Sequence, residues 1–215
     1  MTNIQTLVFN PFQVNTFVLY DETGECVIID PACYEPHEEE QLAGFIEQKH
    51  LKPVAILYTH CHIDHILGNN FAIKHFGLKP LTHNDSLPFL TNSKTYGKTF
   101  GFETDDPIMP EKFIEDGQEI HFGNQLLKAL HTPGHAAGSI CYYHKKDGFV
   151  IAGDVLFSGS IGRTDLPTGD FDLLIRSIEE KLMSLPDEVK VYPGHGPATT
   201  IGHERNTNPF LNGGY

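Results

Sequence analysis

The stretch Tyr58-Thr59-His60-Cys61-His62-Ile63-Asp64-His65 places three imidazoles and a carboxylate within six residues, from His60 to His65. Polar groups crowded in this way must be paired or hydrated. A metal ion resolves the conflict, because neutral imidazole and carboxylate are ligands for zinc and equally for iron or manganese. Any one of these histidines alone reads as an ordinary surface or core residue; the cluster does not. His60 and His62 are two apart, so in extended backbone they project to one side and Cys61 to the other. Asp64 and His65 belong to the turn that follows.

Three further stretches share one pattern, an apolar run that ends in Gly or Pro and a metal-capable side chain. They are Leu130-His131-Thr132-Pro133-Gly134-His135, Ile151-Ala152-Gly153-Asp154 and Val191-Tyr192-Pro193-Gly194-His195. Each predicts a strand whose end delivers one ligand to a common rim, with glycine letting the backbone approach closely. His60, His62, Asp64, His65, His135, Asp154 and His195 together make five imidazoles and two carboxylates, more than one tetrahedral site can use. They suit two metals. Two cations about 3.5–4 Å apart lower the pKa of a shared water from about 15.7 toward about 7, so that a bridging hydroxide exists at neutral pH. One metal would also polarise an acyl carbonyl and stabilise the oxyanion that forms. Such a site hydrolyses an ester, thioester, lactone or amide without a serine or cysteine nucleophile. His83, His121 and His203 fall outside the pattern and read as packing or surface residues, with His131 better placed to support a ligand.

The ligands need elements to carry them. Val54-Ala55-Ile56-Leu57-Tyr58, bounded by Pro53, predicts a buried strand that ends at the histidine cluster. Residues 4–9, 16–20 and 26–30 read as strands, the last two a hairpin turning at Gly24. Residues 38–49, with Leu42, Phe45 and Ile46, and residues 66–76, with Leu67, Phe71 and Ala72, show helical spacing. Gly77 is a fitting stop for the second. Residues 80–110 lose periodicity, and 91–98 read as least ordered, either a lid over a site or a surface excursion. Residues 118–122, 126–131, 139–143 and 149–153 return to strands. A helix from the N-cap Asp170 to Met183 then precedes a last inner strand over 189–192. This order predicts an α/β (α+β) fold, two mixed sheets face to face with helices on the outer faces, in a single domain over 1–215.

A formal net charge of −13, from 28 acidic against 15 basic residues, disfavours nucleic acid and anionic membrane as partners. The N-terminus shows no basic region followed by an apolar run, so the cytoplasm is the expected compartment. Cys26, Cys33, Cys61 and Cys141 form no C-x-x-C pair and predict no disulfide framework, although Cys61 lies where oxidation could reach a metal loop.

The motif H-x-H-x-D-H after a buried strand resembles the signature of the metallo-β-lactamase fold hydrolases, and Thr59 resembles their glyoxalase II branch. The run from Val155 to Asp170, with Gly162-Arg163-Thr164-Asp165 inside it, looks like the corresponding loop of small single-domain glyoxalase II proteins. The resemblance implies a four-layer αβ/βα sandwich. It implies that His60, His62 and His135 hold one metal, that Asp64, His65 and His195 hold a second, and that Asp154 bridges them, with Asp64 and Asp154 the catalytic carboxylates. Two divalent ions, zinc first and iron or manganese as alternatives, are then expected, with an acyl thioester such as S-lactoylglutathione as the small-molecule partner. Arg163 stands where that branch places a basic residue near the glutathione glycyl carboxylate, and guanidinium suits a two-pronged grip; the plain alternative is an ion pair with Asp165 or Asp170. The sequence departs from the larger enzymes in having Pro197 where they carry a tyrosine, and in ending at Tyr215 without their helical domain, which puts glutathione itself in question. The similar loop of persulfide dioxygenases, which use one iron, offers a second reading, with His60 or a neighbour, His135 and Asp154 as ligands.

Overall fold

Alternation along the strands decides which face each side chain takes. In the computed structural model, which describes residues 1–213, β1 (Asn3–Phe9), β2 (Val14–Tyr20), β3 (Glu25–Ile29), β4 (Lys52–Leu57), β5 (Pro80–Thr82) and β6 (Lys112–Phe113) form one six-stranded sheet in that order. The last two residues of the expected 1–215 domain lie outside the described residues. The second six-stranded sheet contains β7 (Glu119–Phe122), β8 (Gln125–His131), β9 (Ile140–His144), β10 (Phe149–Gly153), β13 (Lys190–Pro193) and β14 (Thr199–Thr200), in the order β14-β13-β10-β9-β8-β7. Between them in sequence, β11 (Leu156–Phe157) and β12 (Ser160–Ile161) pair as a short ribbon.

The sheets face each other. Phe17, Leu19, Val27, Ile29, Ala55 and Leu57 of the first meet Leu127, Ala129, Ile140, Tyr142, Phe149 and Ile151 of the second in one core cluster. The intervening residues point outward, as a period of two requires. Cys26 and Ile28 pack on Leu42 and Ile46 of α1 (Pro36–Gln48). Ile56 packs with Ala72 and Ile73 of α2 (Asn69–Phe76) and Leu90 of α3 (Leu87–Thr99). Val150 and Ala152 pack on Leu174 of α4 (Phe171–Ser177), on Ile178 and Leu182 in the wider turn that continues it, and on Ile201 of α5 (Ile201–Thr207). Each Val, Leu or Ile among these, when fully buried, contributes about 1.5–3 kcal/mol. The result is the four-layer αβ/βα sandwich.

Two departures from expectation matter. Residues 80–110 are not irregular throughout: they contain β5, a single 3₁₀ turn (Asn84–Ser86) and the thirteen-residue α3, which includes residues 91–98. The helix escapes a periodicity reading because its buried positions are Leu90, Ser93 and Gly97, two of them without an apolar side chain. Gly97 lies against Ile63, whose Cδ1 would be 3.4 Å from a Cβ at that position, an ordinary contact. The second departure is that the helix expected over 66–76 begins at Asn69, after a 3₁₀ turn (Ile63–His65) that holds two of the candidate ligands.

β3 and β4 run parallel, as do β10 and β13, and β8 shares the direction of β10 through antiparallel β9. Their carboxyl ends therefore lie along a common edge, where the sheets are also bonded to each other. Ile140 N donates to Thr59 O at 2.7 Å, Tyr142 OH to Tyr58 O at 2.7 Å, and Asn15 N to Gly194 O at 2.7 Å. Among the described residues no helix is long and apolar enough to cross a membrane.

Candidate metal centre

All seven candidate ligands meet at this edge. His60 and His62 follow β4, Asp64 and His65 sit in the 3₁₀ turn, His135 follows β8, Asp154 directly follows β10, and His195 follows β13. His60 Nε2 lies 3.1 Å from His62 Nδ1 and 3.3 Å from His135 Nε2. A tetrahedral metal with nitrogens at about 2.0–2.1 Å sets those nitrogens about 3.3 Å apart. The triad has the dimensions of a metal's ligand shell, and one proton shared between two rings does not account for three nitrogens facing inward.

The second group has similar spacing. Asp64 Oδ2 is 3.3 Å from His195 Nε2 and 3.7 Å from His65 Nε2. Asp154 stands between the groups, with Oδ1 3.4 Å from His65 Nε2 and Oδ2 3.7 Å from His135 Nε2 and 3.5 Å from His195 Nε2. His65 Nε2 and Asp154 Oδ1 are buried without a hydrogen-bond partner, as atoms reserved for a cation would be. The residues present fit two metals.

Several of the candidate imidazole ligands are oriented through their other nitrogen. Asp30, fully buried at the end of β3, accepts from Thr59 N at 2.7 Å and Thr59 Oγ1 at 2.5 Å, and its Oδ2 lies 3.0 Å from His65 Nδ1. His135 Nδ1 meets Arg163 O at 2.7 Å, and His195 Nδ1 meets Phe12 O at 2.9 Å. Bonds of this kind fix the tautomer and leave the opposite nitrogen free to ligate. Asp30 is the residue that sequence reasoning missed, although it ends the apolar run Cys26–Ile29 as Asp154 ends its own. His131, expected to support a ligand, stacks on His83 at 4.1 Å, and its Nε2 lies 2.8 Å from Ala137 O, so it braces the main chain beyond His135. Gly194 is required by close packing, because a Cβ there would collide with Asp154 Oδ1 and His65.

Burial and charge divide the imidazoles into two kinds. Burial drives His60 well below the ordinary value, pushes His62 down to about 3 and lowers His135. Burial opposes charge on His65 and His195 too, but Asp154 and Asp64 prevail, raising His65 well above its ordinary value and His195 to about 9. Burial would raise Asp154, yet His65 and His195 hold it well below the usual carboxylate range. In the metal-free protein the first triad thus offers lone pairs at neutral pH, while the second group holds protons.

The raised pKa of His195 gives a stabilisation complete below about 6.5 and lost as pH rises through about 9. A metal entering the second group displaces those protons, so its affinity rises across the same window. Zinc titration of metal-free protein in buffers of different ionisation enthalpy is expected to show more proton release near pH 7 than above about pH 9, where His195 has already lost its proton. Release unchanged at pH 10 would contradict this division.

A further metal-capable group, His83, Asp85 and His131, fails the fit. Its two rings are stacked only 11° from parallel, so their in-plane lone pairs run alongside each other and do not converge.

Comparison with known proteins agrees with this geometry. The family model of the metallo-beta-lactamase superfamily matches residues 9–195, a span that takes in every candidate ligand. The chain belongs to the metallo-β-lactamase superfamily. It is 36% identical over 212 residues to the hydroxyacylglutathione hydrolase GloC of Haemophilus influenzae, covering 98% of each chain. The crystal structure of TTHA1623 in a di-iron-bound form superposes with a TM-score of 0.87 at 36% identity, covering 96% of this chain and 100% of that one. The crystal structure of BLEG-1 B3 metallo-beta-lactamase does so with a TM-score of 0.86 at 35% identity, covering 98% and 100%. The protein is a metallo-hydrolase of this superfamily, with His and Asp clusters suited to metal ions.

Two other residues of this metallo-hydrolase are placed by the structure. Arg163 makes the plain pair: Nε and Nη2 each donate to Asp165 at 2.7 Å, both side chains exposed. Cys61 turns away from the imidazoles, with Sγ 3.5 Å from Thr82 Oγ1, and burial pushes its thiol up to about 12. Oxidation requires the thiolate and access, and Cys61 has neither.

Proposed function

We propose that the chain hydrolyses an acyl thioester, with S-lactoylglutathione as its model substrate, using two divalent metal ions of which zinc is the first choice and iron or manganese the alternatives. The observation that carries the two-metal reading is Asp154, whose two oxygens reach residues of both ligand groups within 3.7 Å. His60, His62 and His135 would hold one ion, Asp64, His65 and His195 the other, and Asp154 both. Ions bound there supply an activated water at neutral pH and polarise the acyl carbonyl. The protein's own groups do the rest. Asp30 and the carbonyls of Phe12 and Arg163 keep His65, His195 and His135 aimed inward. Asp64 and Asp154 face the site as anions and would supply the negative charge that holds the ions. Phe89 of α3 stands edge-on to His62 at 5.0 Å and shields that side from water.

The similarity to the GloC hydroxyacylglutathione hydrolase supports a glutathione thioester, and that to a B3 metallo-beta-lactamase makes a β-lactam the substrate to assay beside it. The complete second ligand group counts against a one-iron dioxygenase. Arg163 would grip a substrate carboxylate by exchanging it for Asp165, and an exposed pair gives way readily. Steady-state hydrolysis of S-lactoylglutathione by protein of assayed metal content tests the reading. Turnover is expected to track two bound metals and to disappear with a chelator. Arg163→Ala is expected to raise KM about tenfold with little change in kcat, and Asp165→Asn to lower it. No turnover with two metals bound rejects glutathione thioesters; a single iron with oxygen uptake on glutathione persulfide replaces the hydrolase with the dioxygenase.

A further inference from the structure

The turn between β1 and β2 touches the second ligand group at both ends. Asn10 Nδ2 donates to Asp64 O at 2.9 Å and to Ala32 O at 2.9 Å, so both amide hydrogens are used. Its Oδ1 accepts from Phe12 N at 2.9 Å, its own N–H donates to Glu38 Oε1 at 2.6 Å, and its carbonyl accepts from Gln13 N at 3.0 Å. Every polar group of this nearly buried residue is engaged. Phe12, held by that side chain, supplies the carbonyl for His195 Nδ1. Asn15, where the turn enters β2, bonds Gly194 O through its N–H, and Pro193 O and Gly196 O through Nδ2 at 2.9 Å each. Asp64 and His195 thus share one support. The first group is held from elsewhere, His135 by Arg163 O and His60 by Thr59 Oγ1 at 3.2 Å from its Nδ1.

We propose that Asn10 is a positioning residue for the second metal alone. Its carboxamide sets the Asp64 main chain and the Phe12 carbonyl at one fixed separation, and so places Asp64 and His195, two of the three ligands that only the second ion would use. The turn has no comparable hold on His60, His62 or His135. Asn10 adopts a left-handed backbone, with φ of +54°, which asparagine and glycine tolerate and most residues do not. Glycine is therefore the substitution that removes the side chain without adding strain. Aspartate keeps the acceptor for Phe12 N but turns oxygen instead of N–H toward the carbonyls of Ala32 and Asp64.

The inference rests on the two-metal part of the proposed function and is tested without substrate, by zinc titration of metal-free protein. Wild type is expected to bind in two steps. Asn10→Gly and Asn10→Asp are expected to weaken one step by about 10–100-fold and to leave the other within about threefold. Thermal unfolding of each metal-free variant, together with the preserved step, separates positioning from loss of fold. Equal weakening of both steps, or of neither, overturns the role of Asn10 while leaving two metals standing. A single step in wild type overturns the two-metal reading and this inference with it.

Discussion

Asp154→Asn is expected to lower kcat/KM by more than about 1,000-fold, beyond the 10–100-fold typical of a residue that only supports a ligand. Asparagine keeps the shape and removes the charge. Asp154 is in reach of His65 on one oxygen and of His135 and His195 on the other, so both ligand groups lose their shared anion at once. His65 and His195 also lose the partner that holds their protons in the metal-free protein. Metal analysis of the purified variant is expected to show fewer than two ions per chain, with a far-ultraviolet circular dichroism spectrum like that of wild type. Full turnover with two ions bound would remove Asp154 from the site's chemistry.

Asp30→Ala is expected to destabilise the metal-free protein by about 3–5 kcal/mol, the usual result of removing one partner from a buried ion pair. Asp30 and His65 are both fully buried, and the same carboxylate satisfies Thr59 N and Thr59 Oγ1. Deleting it leaves a buried imidazole and a backbone N–H without acceptors. Asp30 also sits at φ of +49°, where alanine adds strain and asparagine does not. Asp30→Asn, which keeps one acceptor oxygen and the tolerated backbone, is expected to fall between. Urea unfolding measures both, and a loss under about 1 kcal/mol for Asp30→Ala would show that His65 finds another partner.

The two substitutions differ in how readable their targets are. Asp154 belongs to a repeated pattern of apolar run, glycine and ligand, and the strands that carry the pattern show themselves by alternation: Val27 and Ile29 face the core while Cys26 and Ile28 face α1. The geometry brings all seven candidate side chains to one edge because the pairing puts the carboxyl ends of β3 and β4, and of β8, β10 and β13, side by side. Asp30 has no partner nearby in sequence; its bond to His65 spans 35 residues and exists only once β3 and β4 lie side by side. The supports from Phe12, Arg163 and Ala137 are main-chain carbonyls, which every residue has, so residue type carries no trace of them. α3 was hidden for a different reason. A helix packed through Ser93 and Gly97 buries backbone more than side chain, and an apolar pattern does not report that.

The bonds between Asn15 and the segment Pro193 to Gly196 can form only after the end of the second sheet has been made. Four candidate ligands, His60, His62, Asp64 and His65, leave the ribosome together, but His195 emerges 130 positions after His65. At about 5–20 residues per second that gap is on the order of 10 s. Through it the early ligands are exposed on an unfinished chain whose first sheet lacks its facing layer. Closing so long a loop costs only slightly more than closing a short one, so the delay is kinetic. The half-made cluster has time to meet a stray soft metal before the geometry that selects among metals exists. An ion that enters after release would meet an edge already locked by Asn15, and the finished site would then choose among metals.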